Sequence, residues 1–182
     1  MGAGNVSDPE PQYNINFHTS VIHDLPAERF DLPGWLRNFS CEDYVACTPA
    51  SGAHRYSNVY RDGDGGLVYR NDEFVGGFMM TQFYRERIIE PQRVRLVSMT
   101  RARFFYFWPI VFPLYWEMTV EPQDEQRCLF TCKIGAKLSP IYFLASKLTS
   151  LMFWAQAHAD EETPHFARFA ARWATRNDTA SH

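Results

Sequence analysis

From Ala53 to Leu138 apolar and polar side chains alternate with a period of two. That repeat fits strands with one dry and one wet face, and six such runs in succession commit a chain to an antiparallel sheet. The runs are HRYSNVYR, LVYRNDEF, FMMTQFYRERIIE, QRVRLVSMTRARFFYF, LYWEMTVEP and RCLFTCKIGAKL. Turn chemistry separates them. DGDGG at 62–66 is a hairpin turn, Gly76-Gly77 a second turn or bulge, and EPQDEQ at 121–126 a polar turn. DGDGG is no phosphate loop, because it joins two strands and no Lys-Ser/Thr pair follows.

Before the sheet, YNINFHTSVI from Tyr13 reads as one more strand. Pro26 to Phe30 and Pro33 to Phe39 read as short helices started by proline. After it, Pro140 to Thr175 reads as one helix perturbed at Pro164, where the missing N–H frees the Asp160 carbonyl and Thr163 can restart the helix as a cap. Its apolar stripe runs through Leu148, Leu151, Ala155, Phe166, Phe169 and Trp173. His158 and Glu162 fall on that core-facing stripe and His165 close to it, while Asp160 and Glu161 lie at its edge or beyond. A single domain over 13–176 is expected, between disordered tails at 1–12 and 177–182.

Charge narrows the function. The 182 residues carry 18 basic and 21 acidic side chains, well mixed along the chain, for a net charge of −3. No nucleic-acid partner and no polybasic membrane segment are expected. The polar start MGAGNVSDPEPQ lacks the apolar stretch of a secretory signal, so a cytoplasmic location is expected. Cys41, Cys47, Cys128 and Cys132 form no C-x-x-C pair and read as reduced, buried thiols. FFYFWPIVFPLYW, Phe104 to Trp116, is too short and too Pro-broken to span a membrane. It suits a hairpin at a cavity mouth, a homodimer contact or a membrane-touching loop. The expectation is plainer: two buried strand ends joined by a Pro-bent connection.

The arginines tell the faces apart, because an unpaired guanidinium is almost never buried. Arg55, Arg61, Arg70, Arg85, Arg87, Arg93 and Arg95 mark the outer face. The inner face then carries Tyr56, Tyr69, Met80, Tyr84, Leu96, Trp116, Met118 and Phe130, with His54, Asn58, Asn71, Glu73, Gln82 and Glu86 as its polar minority. A mostly apolar wall with a few polar groups is the surface of a small-molecule pocket. Aromatics at 16% of the chain suit flat ligands. Tyr56, Tyr69, Tyr84, Trp116, Met118 and Gln82 are the expected ligand-binding residues.

This order of a strand, two short helices, six antiparallel strands and a long last helix resembles the START-like or Bet v 1-like superfamily, also called helix-grip or polyketide-cyclase-like. The resemblance covers nearly the whole chain from Tyr13. It implies an α+β fold in which a curved sheet wraps the last helix around a cavity for a small hydrophobic molecule.

His158 and Glu162 are one helical turn apart, so the carboxylate can accept the ring N–H and fix its tautomer. Such a pair can do acid/base chemistry on a bound ligand, with no cofactor required. Side chains at that spacing can also hold one zinc or other divalent ion. The order His, Glu, His-x-x-x-Glu resembles the zinc site of the 2,4-diacetylphloroglucinol hydrolases, which cleave a carbon–carbon bond. That resemblance implies His158, Glu162, His54 and either Glu86 or Glu73 as ligands. Three readings follow: a cyclase-like acid/base enzyme, a metal-dependent carbon–carbon hydrolase, and a non-catalytic carrier of lipid or another hydrophobic ligand. Serine elbows, dinucleotide fingerprints and P-loops are absent from the sequence.

Overall fold

The computed structural model describes residues 12–104 and 108–179. Most of the expected N-terminal tail, and the last three residues of the chain, lie outside them. Seven strands form one antiparallel sheet: β1 (Ile15–His23), β2 (His54–Arg61), β3 (Leu67–Val75), β4 (Phe78–Glu90), β5 (Arg93–Phe104), β6 (Trp108–Pro122) and β7 (Cys128–Ala136). Their order is β1-β7-β6-β5-β4-β3-β2, so the sheet is a meander whose last strand returns to pair with the first. Local chemistry sets the hairpins. Asp62 Oδ1 accepts from the N–H groups of Asp64 and Gly66 at 3.1 and 3.0 Å. Gly76 and Gly77 take φ of +57° and +87°, both left-handed, as the tight β3–β4 turn requires.

The two Pro-started segments are a 3-10 turn, Ala27–Arg29, and α1 (Leu32–Arg37), capped by Asp31. A further short helix that the sequence reading lacked, α2 (Cys41–Val45), is capped by Ser40. The expected single C-terminal helix is two helices, α3 (Pro140–Leu148) and α4 (Leu151–Thr179). They part at Thr149-Ser150, where Ser150 takes a left-handed φ of 55°. Leu148, expected in the core stripe, ends α3 and is 79% exposed. Pro164 lies inside a continuous α4, and the Thr163 hydroxyl, expected as a restart cap, donates to the Ala159 carbonyl at 2.7 Å. Packing of α4 against the sheet outweighs the local cost of the proline.

The core lies between the inner sheet face and α4. Phe130, Leu96, Val94 and Met118 from the sheet meet Phe166 and Ala170 from the helix. All four cysteines are free, and Trp116 Nε1 donates to Cys132 Sγ at 3.0 Å. Two turns of α4 grip both sheet edges. Gln156 donates to the His18 carbonyl at 3.2 Å and Asp160 accepts from Thr19, both on β1. Glu161 accepts from the backbone N–H groups of Ala50 and Ser51, just before β2, at 2.7 and 3.1 Å. This curved sheet around a long helix is the α+β helix-grip arrangement expected from the element order.

Two face assignments change. A bulge between His54 and Tyr56 breaks the alternation of β2. His54 stays inward at 1% exposure, whereas Tyr56 turns outward at 38%, with the Arg70 guanidinium 5.2 Å from its ring centroid. Tyr56 is therefore no part of the inner wall, and Asn58 is exposed with it. The Phe104–Trp116 run also departs from the buried ends expected, although residues 105–107 lie outside the description. Trp108 and Val111 are 58% and 61% exposed. β7 ends its ladder with Ala136 opposite Leu114, and the Lys137 N–H donates to the Pro113 carbonyl at 3.0 Å, so Pro109 lies on the stretch of β6 beyond that last bond.

Glu161 yields a test of the grip. Burial alone would raise its pKa; the bonds from Ser51 and Ala50 outweigh that and hold it below the ordinary carboxylate range. A depressed folded-state pKa gives stability that is present above the unfolded value and lost as pH falls through the folded one. Glu161→Gln should lower unfolding stability by about 1 kcal/mol at neutral pH. Urea denaturation at stepped pH should show the difference vanish below the carboxylate range.

Candidate active site

The concave sheet, α3 and α4 enclose a cavity of about 310 Å³. Its walls are apolar and include Phe78, Ile110, Phe112, Leu114 and Met152. Its exposed lining residues are Trp108 on β6 and Ile141 and Thr149 at the two ends of α3, so it opens to solvent there. At its closed end Tyr84, Trp116 and Phe166 stand beside Glu73, His158 and Glu162.

Four side chains converge there from three elements. α4 supplies His158 and Glu162, with Nε2 and Oε2 3.3 Å apart. β2 supplies His54, whose Nε2 lies 2.9 Å from the same Glu162 oxygen. The β2 bulge leaves this side chain inward and turns Tyr56 out. β3 supplies Glu73, with Oε1 4.0 Å from His54 Nε2 and Oε2 3.9 Å from His158 Nε2. Ligand atoms of His54, His158 and Glu162 all lie within 4.8 Å of one another. All four residues are buried, between 1% and 7% exposed.

A second layer fixes these groups. The Tyr44 carbonyl, 2.7 Å from His54 Nδ1, can only accept, so that nitrogen carries the hydrogen. The Tyr44 ring stacks on the imidazole with centroids 3.9 Å apart and planes within 2°. The Tyr44 hydroxyl donates to Glu73 Oε1, and Gln82 Nε2 donates to Oε2 at 2.9 Å. By contrast, neither ring nitrogen of His158 has a hydrogen-bond partner among the described residues, nor has Glu162 Oε1. The 3.3 Å approach of His158 to Glu162 is close enough for charge attraction but is not aligned as a hydrogen bond.

Electrostatics follow from burial and the two carboxylates. Burial alone would depress the pKa of His54; the hydrogen bond and charge of Glu162, with the charge of Glu73, outweigh it and hold it above the ordinary range. Burial, then the Glu73 charge, pushes the phenols of Tyr44 and Tyr84 up, so Tyr44 stays a donor.

Of the expected ligand-binding residues, Tyr84, Trp116 and Gln82 line the cavity. Tyr56 faces outward for the reason given above. Tyr69 and Met118 are buried beside the cavity without lining it. Tyr69 donates to Glu86 Oε1 at 2.6 Å, and Arg37 pairs with the same oxygen at 3.1 Å. This corrects Glu86 as a ligand. It follows Gln82 by four residues on β4, roughly 13 Å along the strand from the cluster. Glu73 occupies the place instead, because it pairs in register with Met80 beside His54. His165 lies off the site against Arg168. Tyr44 was missed; it sits in the short helix α2, where no period or motif marks it.

No protein-family model matches the sequence, and no curated protein matches it. Similar folds are found among solved structures. A norcoclaurine synthase point mutant from Thalictrum, in complex with a transition-state analogue, aligns with a TM-score of 0.56 at 11% identity, over 84% of this chain and 94% of that one. TTHA0849 from Thermus thermophilus aligns with a TM-score of 0.55 at 13% identity, over 86% and 97%. Norcoclaurine synthase from Thalictrum flavum in complex with dopamine and hydroxybenzaldehyde aligns with a TM-score of 0.51 at 11% identity, over 80% and 83%. At these identities the likeness is one of fold.

Filling the cavity tests its capacity. Ala155 lines it without touching the cluster's hydrogen bonds. Ala155→Phe should weaken binding of the apolar dye anilinonaphthalene sulfonate by roughly tenfold, by loss of buried contact area. Fluorescence titration reads the affinity, and circular dichroism should show the fold kept.

Proposed function

We propose that this chain, with its START-like, Bet v 1-like helix-grip fold, is an enzyme acting on a bulky, apolar, ring-bearing small molecule. The single observation behind the reading is the convergence of His54, Glu73, His158 and Glu162 at the closed end of an apolar cavity. Buried ionisable groups in such number need compensation and are costly to keep. A carrier of hydrophobic ligands has no use for them, which favours catalysis over carriage.

The donor set fits a divalent metal ion, and imidazole with carboxylate suits zinc. His54 has Nδ1–H anchored on a backbone carbonyl and Nε2 aimed into the cluster, the outer-layer arrangement that orients a ligating histidine. The unpartnered nitrogens of His158 and Oε1 of Glu162 fit the same role. His54, His158 and Glu162 would hold the ion, with Glu73 as the fourth donor set by Tyr44 and Gln82. When bound, it would supply Lewis acidity toward a carbonyl oxygen.

The chain order His54, Glu73, His158, Glu162 is the order of the 2,4-diacetylphloroglucinol hydrolase site that the sequence resembles. The reaction class is therefore hydrolysis of the bond between an aromatic ring and an acyl carbon. Water gives its hydroxyl to the acyl carbon and a proton to the ring carbon, leaving an arene and a carboxylic acid. Tyr84, Trp116 and Phe166 offer flat walls for the ring, and the apolar lining keeps bulk water from the reacting bond.

A second reading rests on the 2.9 Å contact of His54 Nε2 with Glu162 Oε2. That pair can neutralise itself without an ion. Glu162 then orients the imidazoles, His158 is the acid/base at the cavity surface, and the chemistry is cyclase-like on a polyketide-like substrate.

Metal analysis separates the two. Wild type purified without tag or chelator should carry about one divalent ion per chain, and Glu162→Ala should lose it. Hydrolysis of diacetylphloroglucinol, used as probe, should stop on chelation and return with zinc. A metal-free wild type would sink the first reading. Under the second, His158→Ala abolishes turnover while ligand affinity is kept.

A further inference from the structure

The end of the molecule at which the cavity opens has a surface unlike the rest. α3 presents Ile141, Leu144 and Leu148 outward at 73%, 59% and 79% exposure. Their spacing places them on one helix face, the face that would ordinarily be buried. Phe153 and Trp154, in the first turn of α4, are 66% and 52% exposed. Trp108, on the free end of β6, is 58% exposed. The patch runs into the cavity, because Trp108 and Ile141 also line it. Scattered exposed apolar residues need no explanation, but a gathered set this large marks an interaction surface.

Cations outnumber acids in the segments at this end, and Asp72, two strands across from Arg101, is paired with Arg70. The segments that build this end contain no aspartate or glutamate at 74–85, 94–116 or 127–159. They bring Arg101, Arg103, Lys137 and Lys147, all exposed. Each is a chain neighbour of a cavity-lining residue: Ala102, Leu138 or Ser146. The chain as a whole has a net charge of −3, so its acids are gathered elsewhere. Read along the sequence the two signs look mixed; the fold sorts them.

We infer that the cavity mouth docks on an anionic lipid surface. α3 lies in the interface with its apolar face down, and Arg101, Arg103, Lys137 and Lys147 meet the lipid phosphates. An apolar molecule then passes between bilayer and cavity without crossing water. A second copy of the chain fits the patch less well, since a twofold contact would set one cationic rim against another. Docking needs no spanning segment, and no helix of the described residues is long and apolar enough to cross a membrane. The inference stands apart from the metal reading and holds for an enzyme or a carrier.

The test is co-sedimentation of the full chain with phosphatidylcholine vesicles, with and without phosphatidylglycerol, at low and raised salt. Wild type should partition onto the anionic vesicles, and salt should weaken it. Leu144→Ser combined with Leu148→Ser should weaken partition on the order of tenfold or more. Lys147→Glu should weaken it roughly tenfold on anionic vesicles. All three positions are exposed, so circular dichroism should be unchanged. The inference is overturned if wild type ignores anionic vesicles, or if neither variant changes partition. It is equally overturned if sedimentation equilibrium shows a dimer that the leucine variants dissolve while wild type stays off vesicles.

Discussion

Two turns of α4, from Gln156 to Glu162, hold both edges of the sheet. Gln156 and Asp160 bind β1 on one side; Glu161 binds the strand approach at Ala50 and Ser51, and Glu162 binds His54, on the other. β1 and β2 are the two ends of the strand order, so these contacts make the sheet curve around the helix. Unpaired sheet edges are a liability, and here α4 packs along β1 while α2 packs on β2. The His54–Glu162 contact joins residues 108 apart in the chain, both almost fully buried. Removing one partner leaves a buried ionisable group uncompensated, at a cost of about 3–5 kcal/mol. The polar cluster at the cavity floor is thus also a closure of the fold.

That double duty explains the layered packing around it. Tyr44 contributes its carbonyl to His54, its ring to the imidazole face and its hydroxyl to Glu73. A short helix in the β1–β2 connection therefore controls the orientation of groups on two strands. Gln82 on β4 completes the hold on Glu73. Rigid orientation of this kind is what a catalytic or metal-holding group needs, and it comes from residues remote in sequence from the pair they serve.

The cavity owes its mouth to the break at Thr149-Ser150. A single straight helix from Pro140 would have buried Leu148 along the core stripe. The left-handed Ser150 swings α3 away, so one wall of the cavity is a separate element whose apolar face meets solvent. Arg101, Arg103, Lys137 and Lys147 are exposed chain neighbours of residues that line the cavity.

Period-two alternation, glycine-rich turns and the 3.6-residue stripe were enough to determine the strand count, the helix-grip order and the inward facing of His158 and Glu162, because each depends on spacing along one element. Tyr84, Trp116 and Gln82 were legible on the same ground. Tertiary structure alone decided the rest. A bulge after His54 turned Tyr56 out while His54 kept the inward facing that alternation gives it, and alternation cannot reveal a bulge that pairing creates. Register between β2, β3 and β4 chose Glu73 over Glu86, although both sit on the same face by parity. Tyr44 entered the site, and α3 left the core, through contacts between segments far apart in the chain. Periodicity reports which way a side chain points from its own backbone; which other side chains it meets is set only when separate elements pack.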